Sequence, residues 1–137
     1  MLNNQTIEKL VFMKLSSMGR EYRRQLESPD TIALSFEERF GMLVDAEWTS
    51  RHNSRLNKLL RLANLRIQGA CLEDLDYDPR RKLDRAYVAR LADGGWINEH
   101  RNLIIIGATG TGKTYLACAF GNSACRQGLK TKYYRVN

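Results

Sequence analysis

Apolar residues recur at three- and four-residue spacing through Ile7, Leu10, Val11, Leu15, Met18, Tyr22 and Leu26, which describes one face of an amphipathic helix. Ser28-Pro29-Asp30 ends that run, because proline restrains the residue before it and has no N–H to continue the ladder. A second start follows at Ser35-Phe36-Glu37-Glu38, where the serine oxygen can cap a free amide while Glu38 reaches back. Phe36, Phe40, Leu43 and Val44 are the expected buried stripe. The helical period then continues through Leu56, Leu59, Leu60, Ala63 and Ile67, with a break expected near Thr49-Ser50. Residues 1–70 are therefore predicted to form a helical module.

Gly69 to Asp78 has the composition of a linker, with Glu73, Asp74, Asp76 and Asp78 as solvated acids. Asp78-Pro79 is a good helix entry, aspartate capping and proline in the first turn. Leu83, Ala86, Tyr87 and Leu91 give that helix an inner face, and Gly94-Gly95 stops it. Residues 71–102 are thus a linker and a helix that lead into a third segment, 103–137.

That segment changes period. Leu103-Ile104-Ile105-Ile106 is a short β-branched run of the kind buried on both faces of a parallel sheet. Gly107-Ala108-Thr109-Gly110-Thr111-Gly112-Lys113-Thr114 comes next, then a helical stretch from Tyr115 to about Gln127 that ends at Gly128. Lys130 to Val136, with Tyr133, Tyr134 and Val136 as β-formers, is predicted as a second strand. Strand, helix and strand in this order imply a parallel pair with a right-handed crossover. The expected fold class is α/β: a helical N-terminal module, then the first strand–loop–helix–strand of a parallel-sheet P-loop NTPase domain.

The loop matches G-x-x-x-x-G-K-[ST] in the context that gives the pattern meaning. Glycines at 107, 110 and 112 allow a tight turn with successive N–H groups facing one concavity, and the next helix adds its own free amides. Lys113 is the expected cation for the β- and γ-phosphates of ATP, and Thr114 the expected hydroxyl ligand of Mg²⁺. A chance match to the four fixed positions has a probability on the order of a few in a thousand. Nucleotide binding by residues 107–114 is the expectation.

Composition narrows the class. Hydrophobic residues at 43% can build a core, and 27% charged is ordinary for a globular domain, so a disordered tail is excluded. No apolar run approaches the length of a membrane span, and a membrane partner is not expected. Three cysteines without metal-ligand spacing fit reduced thiols in a cytoplasm. Net charge is +7, a balance that favours polyanions. Arg51, Arg55, Lys58, Arg61 and Arg66 occur with no carboxylate between them. Arg51, Arg55, Lys58 and Arg61 are candidate contacts to the phosphates of double-stranded DNA, with an ordinary solvated helix face as the alternative. Trp48 and Trp96 are expected as core anchors, and Cys118 and Cys125 as packing against the sheet.

Leu83-Asp84-Arg85, the segment Trp96-Ile97-Asn98-Glu99-His100-Arg101-Asn102-Leu103, the glycine loop, Leu116-Ala117-Cys118-Ala119 and Ala124-Cys125-Arg126-Gln127-Gly128 leading into Tyr133-Tyr134-Arg135 together carry a resemblance. The chain resembles the IstB/DnaC-like ATPases, helpers of insertion-sequence transposition and relatives of bacterial helicase loaders. The resemblance implies an AAA+ ATPase of the initiator branch that binds ATP and DNA, forms homo-oligomers and directs a transposase to its target. Ala108 replaces the proline common in the family. No apolar strand ending in two carboxylates follows Thr114, and no arginine finger is present, so the chain reads as the front part of a longer ATPase. It is expected to bind ATP without efficient hydrolysis, with no catalytic residue of its own. A helicase loader is the neighbouring reading. A non-catalytic DNA-binding and oligomerisation module with a vestigial ATPase half is the alternative from another class.

Overall fold

In the computed structural model, which describes residues 1–136, the first periodic run folds as two helices rather than one. α1 (Leu2–Phe12) and α2 (Ser16–Glu27) are separated at Lys14, whose φ of 65° is left-handed. The turn is closed by Leu15 N–H donating to the Leu10 carbonyl at 2.8 Å. The capping box at Ser35 forms as the sequence specifies. Ser35 N–H donates to Glu38 Oε2 at 2.8 Å, and Glu38 N–H to Ser35 Oγ at 3.2 Å. From there α3 (Phe36–Ala63) runs without the break expected at Thr49-Ser50. Pro29–Ala33 forms a 3₁₀ turn between α2 and α3. By its contacts the chain divides into two units, Met1–Arg55 and Leu56–Asn137.

In the first unit the aromatic stripe of α3 is not buried. Phe36, Phe40, Val44 and Trp48 are exposed, Phe36 stacking on Phe40 and Trp48 on His52. Trp48 is therefore not the core anchor expected. The inward position is Glu47, 8% exposed. Its carboxylate accepts the Met18 N–H at 3.0 Å and Arg51 Nε at 3.0 Å. α2 has no side-chain cap from its own Leu15, so Glu47 supplies from α3 the acceptor and the negative charge that a helix N-terminus favours. Burial pushes this carboxyl up, but the Met18 N–H and Arg51 outweigh it and hold it below its ordinary 4.5. A carboxyl with a lowered folded-state pKa stabilises above its unfolded value and loses that contribution as pH falls through the folded value. Glu47→Ala is expected to cost about 0.5–2 kcal/mol at pH 7. The cost should shrink as pH falls through and below 4.5, which urea unfolding at pH 7, 4.5 and 3 would check.

The second unit is built on small residues. Leu59, Ala63, Leu65, Ala70, Cys118, Ala119 and Cys125 form its buried cluster, with Leu56, Leu60, Ile67, Leu72, Tyr115 and Tyr133 packed around it. Asp84 rather than Asp78 starts the next α-helix. Its Oδ1 accepts from Ala86 and Tyr87 N–H at the head of α4 (Arg85–Ala92). Asp78-Pro79 opens only a 3₁₀ turn, Pro79–Arg81, which stops at Lys82 with φ 54°. α5 (Gly95–Asn98) and α6 (Lys113–Arg126) complete the helices. No helix among the described residues is long and apolar enough to cross a membrane.

The expected α/β parallel sheet is absent: the described residues contain no strand. The alternation that suggested strands is nevertheless real. Leu103 and Ile105 are half-buried while Ile104 and Ile106 are exposed, and Tyr133 is half-buried while Tyr134 is exposed. What is missing is the ladder. A strand is defined by a neighbouring edge that takes its N–H and C=O groups, and residues 103–106 and 130–136 exchange no hydrogen bond. The second segment instead makes one backbone bond to a helix end, Tyr133 N–H to the Ala63 carbonyl at 2.8 Å. The right-handed crossover expected between two parallel strands falls with the sheet. Cys118 and Cys125 accordingly pack on Ala63, Leu65 and Ala70 and not on a sheet, both as free thiols. Asn137, the end of the predicted third segment, lies outside the described residues.

Candidate functional site

The glycine loop runs into α6 with Gly112 as its N-cap, φ 96°, and Gly110 at φ 79°. Both are left-handed, a conformation that costs a residue with a Cβ about 1–2 kcal/mol. Gly107 is tight for another reason, since a Cβ there would sit 3.0 Å from Thr111 Oγ1 and press on it. The first intrahelical bond of α6 is Leu116 N–H to the Gly112 carbonyl at 3.0 Å. Before it, none of the backbone N–H groups from Ala108 through Tyr115 donates to an acceptor among the described residues. A helix start leaves its first amides unpaired. Here the glycine loop extends that run backwards into one stretch of free donors.

Some of the loop's carbonyl groups, by contrast, are engaged. Lys113 Nζ donates to the Gly107 and Ala108 carbonyls at 2.7 and 2.6 Å, and Thr111 Oγ1 donates to the Ala108 carbonyl at 2.7 Å. With free N–H groups and the Lys113 ammonium beside them, the loop favours an anion. Thr109, at the loop tip, is exposed, and Thr114 is half-buried in the first turn of α6. The loop borders a cleft of about 810 Å³, whose walls include Gly107, Gly110, Thr111, Gly112 and Lys113 on one side. A second part of the lining is Asp74, Leu75, Asp76, Arg80, Arg81 and Leu83. That volume is within the range of small-molecule sites.

The lining from residues 74–83 is the part that composition alone missed. The acidic stretch has solvated side chains at Glu73, Asp74 and Asp76, but its backbone is anchored. Ala70 is fully buried, and Cys71 N–H donates to the Tyr115 hydroxyl of α6 at 3.4 Å. Glu73 pairs with Arg126 at 3.3 Å. Arg81 Nη2 donates to the Thr111 carbonyl at 3.0 Å, thirty residues along the chain. The sequence signal that could have found it is the Asp78-Pro79 turn, which fixes where the next two arginines point.

The four candidate DNA contacts are all exposed positions of α3. Arg51 is partly committed, to Glu47 and, through Nη2, to the Lys14 carbonyl at 3.0 Å. Arg55, Lys58 and Arg61 make no hydrogen bond or ion pair among the described residues.

The model of the IstB-like ATP binding protein family matches residues 8–137. The chain belongs to that family. It is similar over 136 residues, at 43% identity, to the "Insertion sequence IS1162 putative ATP-binding protein" of Pseudomonas fluorescens, covering 99% of this chain and 59% of that protein. It is 41% identical over 136 residues to the "Putative insertion sequence ATP-binding protein y4pL" of Sinorhizobium fredii (strain NBRC 101917 / NGR234), 99% of this chain and 55% of that one. The chain thus spans somewhat over half the length of these curated relatives. A more distant IstB-like relative, "Insertion sequence IS21 putative ATP-binding protein" of Pseudomonas aeruginosa, is 29% identical over 121 residues.

Proposed function

We propose that residues 107–114 bind the triphosphate of ATP, and that the chain acts as an ATP-binding, DNA-associated helper of insertion-sequence transposition. The observation that carries the nucleotide reading is the run of acceptor-free N–H groups from Ala108 to Tyr115, turned by two left-handed glycines at the head of α6. Such a run fits anionic oxygens and little else. The family membership and the names of its relatives support ATP as the anion. In this reading Gly107, Ala108, Thr109, Gly110, Thr111 and Gly112 hold phosphate oxygens through the backbone. Lys113 leaves its carbonyl partners to neutralise β/γ charge, and the Thr114 hydroxyl holds Mg²⁺. Bound Mg²⁺ supplies charge neutralisation between the β- and γ-phosphates.

Binding is the activity proposed for this chain itself. Calorimetry with ATP and magnesium tests it: saturable heat for ATP and none for adenosine is the expected result. The absence of heat from ATP would overturn it.

The DNA role rests on Arg55, Lys58 and Arg61, exposed and uncommitted on α3, and on the net charge of +7. A transposase as protein partner, assembly into homo-oligomers with ATP, and a cytoplasmic site of action follow from the family and belong to the same proposal. Replacing Arg55 and Lys58 by alanine is expected to weaken double-stranded DNA binding regardless of sequence. It should also lower the slope of log K against log salt by about two, one for each lost phosphate contact. Fluorescence anisotropy over a salt series measures both; an unchanged slope would remove these residues from the interface.

A further inference from the structure

Arg80 and Arg81 are adjacent in one 3₁₀ turn but differently used. Arg80 folds back on Asp78, at 2.7 Å, with its side chain 90% exposed. Arg81 reaches across the cleft, and its guanidinium spans two backbone carbonyls, Asp76 at 3.0 Å through Nη1 and Thr111 at 3.0 Å through Nη2. It also packs against the α-carbon of Gly112, where a Cβ would lie 3.1 Å from Nη2. A larger residue at 112 would press on the guanidinium in addition to straining the left-handed φ.

In a planar trans peptide the C=O of one residue and the N–H of the next point in opposite directions, and no peptide bond among the described residues is cis. Holding the Thr111 carbonyl thus aims the Gly112 N–H away from the guanidinium. That N–H is one of the loop donors without an acceptor among the described residues. Without Arg81 the Thr111–Gly112 peptide is free to rotate, because glycine tolerates either orientation.

We propose that Arg81 is a positioning residue for the triphosphate: it locks the Thr111–Gly112 peptide with the N–H presented to phosphate, and ties the 74–83 segment to the loop as the second wall of the cleft. This rests on the phosphate-loop reading above. The role belongs to the fork shape of the guanidinium, whose Nη1 and Nη2 hold separate carbonyls in one rigid plane, whereas a lysine ammonium is a single compact point charge.

The test compares full-length wild type, Arg81→Ala, Arg81→Lys and Lys113→Ala, titrated with a fluorescent ATP analogue and with inorganic tripolyphosphate as competitor. Arg81→Ala is expected to weaken both ligands about tenfold, the worth of one oriented donor, and Arg81→Lys to recover little of it. An equal loss for tripolyphosphate places the effect at the loop. Amide NMR of the ligand-free protein gives a readout independent of binding: the Thr111 and Gly112 signals should move in Arg81→Ala and Arg81→Lys, with those of α1 and α2 unchanged. Should one variant fail to fold, the other still decides. Wild-type affinity in Arg81→Ala, alongside lost binding in Lys113→Ala, would overturn the role of Arg81 and leave the loop reading intact. Full recovery by Arg81→Lys, or a loss confined to the ATP analogue, would also overturn it. No binding by wild type would remove the loop reading and this inference with it.

Discussion

Lys113→Ala is expected to lower ATP affinity about 100-fold or more, and to leave unfolding free energy within about 0.5 kcal/mol of wild type. The two halves have separate causes. Charge-assisted hydrogen bonds to phosphate are worth about 1.5–3 kcal/mol each, and 1.4 kcal/mol is tenfold in affinity, so an ammonium serving two phosphates carries at least that loss. In the ligand-free protein its partners among the described residues are the Gly107 and Ala108 carbonyls. Both belong to exposed residues, so water replaces the ammonium when the side chain is removed. A titration that found the variant within threefold of wild type would move the nucleotide elsewhere. A large drop in stability would make Lys113 a structural clasp instead.

The loop was legible because its requirements are local. Gly110 and Gly112 take the left-handed conformation their positions demand, and Lys113 starts a helix that ends before Gly128 at φ 82°. The Ser35–Glu38 box was legible for the same reason: both partners lie within one turn. Lys14 was not. Nothing in a run of helical spacing marks a lysine as the residue that turns left-handed, and the break is held by Arg51 reaching the Lys14 carbonyl from α3.

Leu103–Ile106 shows where period alone misleads. The side chains alternate as a strand's would, yet a ladder depends on a neighbour that no local pattern supplies. Trp48 fails similarly: an i, i+4 series from Phe36 marks a helical stripe, but which stripe faces inward was decided by Glu47, a charged residue that hydrophobic patterning discounts. Arg81 was legible only in part: the Asp78-Pro79 turn sets where it points, but its partner is a carbonyl thirty residues away.

Leu65→Ala is expected to act in the opposite sense to Lys113→Ala, costing about 2–5 kcal/mol of stability with little change in intrinsic ATP affinity. Leu65 is 5% exposed in the buried cluster. Its Cδ2 would lie 2.8 Å from a Cβ placed on Gly121, so leucine and glycine fit as a large–small pair on α6. Truncating the leucine opens a cavity against that glycine. Gly121 is about 12 Å along the helix from Lys113 at 1.5 Å per residue, far enough that the loop keeps its geometry while the protein stays folded.

Gly121→Ala alone sets about 1 kcal/mol of helix propensity against overlap with Leu65. In the Leu65→Ala background the overlap is gone and the new methyl fills part of the hole. The pair should therefore couple favourably by at least about 0.5 kcal/mol. Urea unfolding of the four proteins measures this, and strict additivity would mean the two side chains do not meet. Ligand linkage then separates core from site: ATP at 100 times its Kd should add about 2.7 kcal/mol to Leu65→Ala, restoring much of what the cavity removed. The same ATP concentration should add almost nothing to Lys113→Ala. Rescue of both variants alike would place the nucleotide on the core unit without Lys113. Rescue of neither would mean that the free amides of the loop hold no triphosphate.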